Sequence, residues 1–233
     1  MSQLNTSQLG SRLSRGLLLL ALFALWPAAA ARADEIALWN FNDSNLIRDR
    51  GDTGTMTTTV ANVTYFGGTT INQQMGDAAG LALALQGGAN NANNGAHLTL
   101  SLSTVGFTSI SVSFATQGTD TGFNSNQFQY STDGVNFTNF GAAFDPPTSF
   151  GVVSFDLSGI AALGNNPTAA FRIVFNGSTT GTSNNRIDNL VVTGSAAAPM
   201  AVPEPATMIL LGAGLAGVAA RVRRRRRPGP GEG

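Results

Sequence analysis

The stretch FTSISVSFA, Phe107 to Ala115, decides how the body of this chain folds. Thr108, Ile110, Val112 and Phe114 alternate with Phe107, Ser109, Ser111 and Ser113. Successive strand residues point to opposite faces, so this pattern puts apolar side chains on one side and hydroxyls on the other. That is a half-buried strand. The same period recurs outward in both directions. Phe128 and Tyr130 share one side of NQFQYS; Val153, Phe155 and Leu157 go together in GVVSFDL; Phe171, Ile173 and Phe175 go together in AFRIVFN. RIDNLVVTG reads as Ile187, Asn189, Val191 and Thr193 against Asp188, Leu190 and Val192. IALWNF, VTYF, LALALQ and AHLTLSL add four more strands. Turn chemistry separates these bursts. TDGVN carries an Asp-Gly pair suited to a two-residue hairpin, GGANNANNG and NGSTTGTSNN are loops, and DPP is a stop. About ten short strands with no soluble helix predict an all-β fold, an antiparallel β-sandwich wound as a jelly roll.

Composition narrows the functions open to such a body. The chain has 233 residues and no cysteine, which removes disulfides, thiol catalysis and cysteine-held zinc. Its formal charge is zero, but unevenly spread. Between Asp34 and Met200 four arginines face eleven acidic residues, whereas the two ends are basic. An acidic body is unsuited to neutralising phosphates, so nucleic acid is excluded as a partner.

The ends carry export chemistry. Arg12 and Arg15 precede an apolar run from Leu17 to Trp26, then Pro27, then Ala31-Arg32-Ala33. Positive, apolar and small-residue segments in that order make a signal peptide over 1–33, with Ala31 and Ala33 marking cleavage. At the other end, Ala206 to Ala220 is apolar and Arg221 and Arg223 to Arg227 follow it. The positive-inside rule holds such a block on the cytoplasmic side: Arg221, Arg223, Arg224, Arg225, Arg226 and Arg227 would retain the tail while a transmembrane helix over 206–220 spans. At ~1.5 Å per residue that helix is ~22 Å long, so arginine stems must snorkel to complete it. Pro203 and Pro205 bracket Glu204 and keep the approach extended, a form a processing enzyme can grip.

The order Pro203-Glu204-Pro205, glycine-containing helix, arginine cluster resembles the PEP-CTERM sorting signal of bacterial exported proteins. The resemblance implies an exosortase-type membrane enzyme as partner and a membrane-inserted precursor. The mature protein would go to the cell surface or extracellular matrix, the setting of exopolysaccharide and biofilm. The PGPGEG extension beyond the arginines is a departure from the usual pattern. The expected organisation is a signal peptide at 1–33, a sandwich at 34–194, a linker at 195–202, the sorting signal at 203–227 and a disordered tail at 228–233.

A second resemblance covers the body. FQYSTDGVNFTNF, FDLSGI, FRIVFNG, NRIDNLVV and the opening IALWNFND are similar to sugar-binding or laminin-G-like jelly-roll sandwiches. That implies a non-catalytic carbohydrate-binding or structural module. The alternative is a secreted glycan-active enzyme working through a pair of aspartates. His97 is the only histidine, which leaves no histidine cluster for a metal, and no GxSxG elbow occurs. Calcium is the one cofactor the loops suggest, from Asp43 with Asn42 and Asn45 or from Asp188 with Asn184 and Asn185. Bland readings stand beside these. Asp133 is a turn former, Arg186 and Asp188 are a surface ion pair, and Trp39 and Tyr65 are either sugar platforms or core.

Overall fold

The computed structural model describes residues 33–197 and, within the C-terminal stretch, Ala213, Gly214, Leu215, Gly217, Val218 and Arg221. The body is a β-sandwich of twelve strands among the described residues: β1 (Ala33–Trp39), β2 (Arg50–Gly51), β3 (Thr55–Thr58), β4 (Val63–Gly67), β5 (Leu81–Gln86), β6 (His97–Leu102), β7 (Phe107–Gly118), β8 (Gln127–Ser131), β9 (Thr138–Asn139), β10 (Gly151–Asp156), β11 (Ala169–Val174) and β12 (Asn184–Ala196). Two short 3-10 turns at Ala89–Asn91 and Ala161–Leu163 are the only helical pieces of this body. Sheet A runs β10-β7-β12-β1-β2, with β5 also beside β12 and β4 beside β5; sheet B runs β3-β6-β11-β8-β9. From β5 onward the chain crosses between the sheets at nearly every connection, which is how a jelly roll is wound.

Alternation in the opening stretch places Ile110, Val112 and Phe114 in the core. Facing them from sheet B are Leu98, Leu100, Phe128, Phe171 and Ile173. The Phe128 and Phe155 rings stack at 3.9 Å and 9°, tying β8 of one sheet to β10 of the other. Phe114, Phe140 and Phe144 surround that pair. With no disulfide, this buried aromatic cluster carries the cohesion, each ring removing a large apolar area from water.

Three expectations need correction. The strict alternation expected for RIDNLVVTG fails at Asp188 and Asn189. The register with β7 shifts between Asp188 and Val191, and Asn189 has φ +48°. This bulge adds a residue, so Leu190 and Val192 join Ile187 in the core instead of opposing it. The Asp-Gly turn is wider than a two-residue hairpin, because Asp133 gathers a six-residue connection between β8 and β9. Its Oδ1 accepts from the Ser131 hydroxyl at 2.8 Å and from the Val135 and Asn136 amides at 2.9 and 2.8 Å. The strands β2, β3 and β9 were missed, being two to four residues long and too short to show a period.

Of the expected transmembrane segment over 206–220, only a few residues are described, and those are helical. Among the described residues no helix is long and apolar enough to cross a membrane. Ala31, Pro203, Glu204, Pro205 and Arg223 to Arg227 lie outside the described residues, whereas Ala33 opens β1.

Candidate carbohydrate-binding face

Register across sheet B brings five outward-facing polar residues into one row. Thr57 pairs with Thr99, Thr99 with Arg172, Arg172 with Gln129, and Gln129 with Asn139. Four inter-strand steps make this row ~19 Å wide. Each of these residues sits opposite a core residue in its strand, which is why the polar half of the alternation converges here. Thr57 and Asn139 are exposed; Thr99, Arg172 and Gln129 are half-buried.

The row is internally ordered. Arg172 Nε donates to Gln129 Oε1 at 2.8 Å, and Gln129 Nε2 donates to Asn139 Oδ1 at 2.7 Å. The Arg172 guanidinium lies 3.9 Å from the centre of the Phe137 ring. Such a cation–π contact fixes the guanidinium plane. Phe137 owes its place to the Asp133 turn just before it. Donors from Asn136, Val135 and Ser131 converge on the Asp133 carboxylate and hold it well below the usual carboxylate range. That turn is therefore rigid and anionic, as the turn-former reading expected.

Two neighbouring rows extend the face. Thr55 and Ser101 lie exposed on one side, in register with the buried Ala170 and Ser131; the half-buried His97, Val174 and Gln127 lie on the other. Partial burial and then the charge of Arg172 push the His97 imidazole below its ordinary pKa, so it is neutral at pH 7. Thr59 Oγ1 lies 3.3 Å from His97 Nδ1. At the end of the Thr55–Ser101 row a cleft of about 430 Å³ opens, bordered by Thr53, Thr55, Ser101, Ser103 and Thr168 together with Asp133 and Pro167. Planar amide and guanidinium edges, hydroxyls and one aromatic ring are groups that can hydrogen-bond and cover a polyhydroxylated ligand.

Other candidates are placed elsewhere. Trp39 is fully buried and donates through Nε1 to Leu46 O at 3.2 Å, so it is core. Tyr65 is half-buried against the same core, and burial raises its phenol pKa. Arg186 and Asp188 form no ion pair. Arg186 lies 5.2 Å over Phe66 and donates to Gly67 O, while Asp188 turns to backbone amides. Several of the oxygens considered for calcium are committed, although Asn185 Oδ1 is buried without a partner. Asn42 Oδ1 accepts from Leu81 N–H, and Asn45 Oδ1 accepts from Ile47 N–H. Asn185 donates its amide to Phe123 O, and both Asp188 oxygens accept backbone N–H groups. Among the described residues no three His, Asp or Glu side chains are grouped to hold a metal. Asp49 lies close enough to Asp43 and Asp77 to feel their charge, yet its Oδ2 accepts the Asn40 amide at 2.7 Å and Asp77 is bound by Arg50 at 3.0 Å. None of these carboxylates lies on the sheet B face.

Residues 201–226 match the family model of the PEP-CTERM protein-sorting motif. The chain carries a PEP-CTERM signal. This motif implies an exported, membrane-anchored precursor processed by an exosortase. No curated protein matches the chain. Among solved structures, the CBM22-1 xylan-binding domain of Paenibacillus barcinonensis Xyn10C is similar at 13% identity and TM-score 0.45, over 73% of this chain and 100% of that one. Domain 4 of AbnA, a GH43 extracellular arabinanase from Geobacillus stearothermophilus in complex with arabinotriose, is similar at 15% identity and TM-score 0.44, over 72% and 95%. The family 11 carbohydrate-binding module of the cellulosomal cellulase Lic26A-Cel5E of Clostridium thermocellum is similar at 11% and 0.38, over 74% and 99%. The sorting motif was legible in the sequence, and so was the all-β sandwich. The residues of the row were not singled out there, because only the cross-strand register brings them together.

Proposed function

We propose that this is a non-catalytic, carbohydrate-binding protein of the cell surface or extracellular matrix, a component of exopolysaccharide or biofilm. In this reading the signal peptide ends at Ala33, the first residue of β1, and the mature strand starts at Asp34. An exosortase-type enzyme grips Pro203, Glu204 and Pro205, while the membrane helix and arginines hold the tail on the cytoplasmic side. The mature body then meets polysaccharide through the outer face of sheet B. The observation that carries the binding assignment is the ordered row Thr57–Thr99–Arg172–Gln129–Asn139 with Phe137 packed on its guanidinium. Arg172, Gln129 and Asn139 hold one another in place, so little of their side-chain freedom is lost when a sugar docks. An open row suits an extended polymer better than a small molecule.

Affinity electrophoresis of the full-length chain in mild detergent, through gels containing soluble polysaccharides, tests this. Retardation by at least one polymer is expected, and Gln129→Ala combined with Asn139→Ala should abolish it while the melting temperature holds. Retardation that survives the double substitution would move the site elsewhere. Intact mass of the protein from its native host tests the sorting half. Loss of residues 1–33 and of everything beyond the Pro203 region is the expected result, and a retained helix and arginine block would reduce the tail to a plain anchor.

A further inference from the structure

The sheet B face has an unusual charge. Its outward positions on β3, β6, β8, β9 and β11 hold no Asp or Glu, although the surrounding body holds eleven acidic residues against four arginines. Three of those arginines are engaged elsewhere. Arg50 is bound by Glu35 and Asp77, Arg48 donates to Gly54 O, and Arg186 turns to Gly67 O and Phe66. Arg172 alone stands on the open face. It uses Nε on Gln129, and among the described residues neither of its terminal nitrogens donates a hydrogen bond or meets a carboxylate. Partial burial disfavours its charge, pushing its pKa below the ordinary guanidinium value, yet nothing nearby compensates. Phe137 packed on the guanidinium and Gln129 at Nε hold the group in place and leave Nη1 and Nη2 free to donate.

We propose that Arg172 selects a carboxylate-bearing polysaccharide, one with uronic acid units spaced among neutral sugars. This rests on the carbohydrate-binding reading of the same face and adds its ligand class. Two parallel N–H donors in one plane match the two oxygens of a carboxylate, giving a charge-assisted bidentate contact. The density of charge follows from the rest of the body. Among the described residues this one free cation, in a net-acidic domain, attracts one carboxylate, whereas a densely charged polyanion would run onto repelling surface. The neutral sugars between uronates would lie over Thr99, Thr57, Gln129 and Asn139.

The test is the affinity of the full-length chain, in mild detergent at low salt, for three probes: glucuronoxylan, the same polymer after reduction of its carboxyl groups to alcohols, and dextran sulfate. Calorimetry should give about tenfold or greater preference for the unreduced over the reduced polymer, the scale of one hydrogen-bonded charge. Arg172→Gln should bring that ratio close to one, and Arg172→Lys should leave it intermediate, keeping charge without the fork. Melting temperatures of both variants near that of the parent would separate recognition from folding. Equal binding of reduced and unreduced polymer overturns the carboxylate assignment and leaves the carbohydrate face standing. Stronger binding of dextran sulfate than of glucuronoxylan also overturns it, because charge density would then decide. Failure of the parent protein to bind either xylan polymer overturns the uronate assignment, whereas the carbohydrate reading falls only if the gels retard it with none of their polymers.

Discussion

The sandwich has two outer faces, and both are rich in Asn, Ser and Thr. On sheet A, the outward Ala82, Ala84, Ala115 and Val191 are buried beneath the connection from Gly68 to Gly80. That connection is stitched down. Thr69 N–H donates to Asp188 Oδ2 at 2.7 Å, and Asn189 Nδ2 donates to Thr69 O and Ile71 O at 2.8 and 2.9 Å. Asn72 Nδ2 reaches Asn189 O at 2.8 Å and Ser113 Oγ at 3.2 Å, and Asp77 is held by Arg50. On sheet B, among the described residues, the one connection that reaches the row is the β8–β9 turn, which lays Phe137 on Arg172, and Thr55, Thr57, Ser101 and Asn139 stand in water. The same residue types thus do opposite work. Where backbone amides and carbonyls of a crossing chain need partners, Asp and Asn seal a face; where none crosses, the polar groups are left for a ligand.

The largest expected difference between the faces is in pH dependence. Burial raises the Asp188 carboxyl to about 7, although the Thr69 and Asn189 amides favour its anion. Between an ordinary aspartate pKa and about 7, the folded protein keeps a proton that the unfolded chain has released. Stability is therefore full below pH ~4 and falls as pH rises through about 7, by on the order of 2–4 kcal/mol. Urea denaturation of the full chain at pH 5 and pH 8 should show this slope, and Asp188→Asn should flatten it. Identical midpoints at both pH values would mean that the latch binds the carboxylate as well as water does.

Next in size is Asn189→Ala. It removes the donor of two part-buried hydrogen bonds, to Thr69 O and Ile71 O, and should cost ~1–3 kcal/mol. A lower melting temperature, with faster hydrogen exchange at Thr69 and Ile71, is the expected readout. On the open face, Phe137→Ala should lower stability by only ~0.5–1 kcal/mol, yet markedly weaken retardation by polysaccharide. Thr57→Ala should change stability by no more than ~0.5 kcal/mol, with a small loss of binding. Should Thr57→Ala instead destabilise as much as Asn189→Ala, the two faces would not differ in the way described.

How much of this was legible in advance depended on the length of the local signal. The strand of Phe107–Gly118 was readable from the alternation of Ile110, Val112 and Phe114. At Ser109, with φ +51°, the register shifts, so that Phe107 packs on the core and Thr108 is exposed, the reverse of the expected pattern. LALALQ was readable for its length and its flanking turn signals, and it is β5 residue for residue. The bulge at Asp188 and Asn189 was not, since a one-residue insertion looks like continued alternation until the partner strand is known. The site was hidden for a related reason. Thr57, Thr99, Gln129, Asn139 and Arg172 are scattered over more than a hundred positions, and only register gathers them. Trp39 attracted attention as a large ring that could carry a sugar, but strand periodicity alone could not settle which face it took.

The central strand of sheet A is also the last strand of the body. β12 lies between β7 on one side and β1 and β5 on the other. Until residue 196 has been made and delivered, β1, β5 and β7 lack the neighbour that joins them, so the sheet cannot close on a partial chain. Such long-range closure is slow, because distant segments must meet before any contact rewards them. For a polypeptide that must be threaded through a membrane, this is a useful delay. The body stays passable while it is being translocated and becomes compact only after its final strand has arrived on the far side.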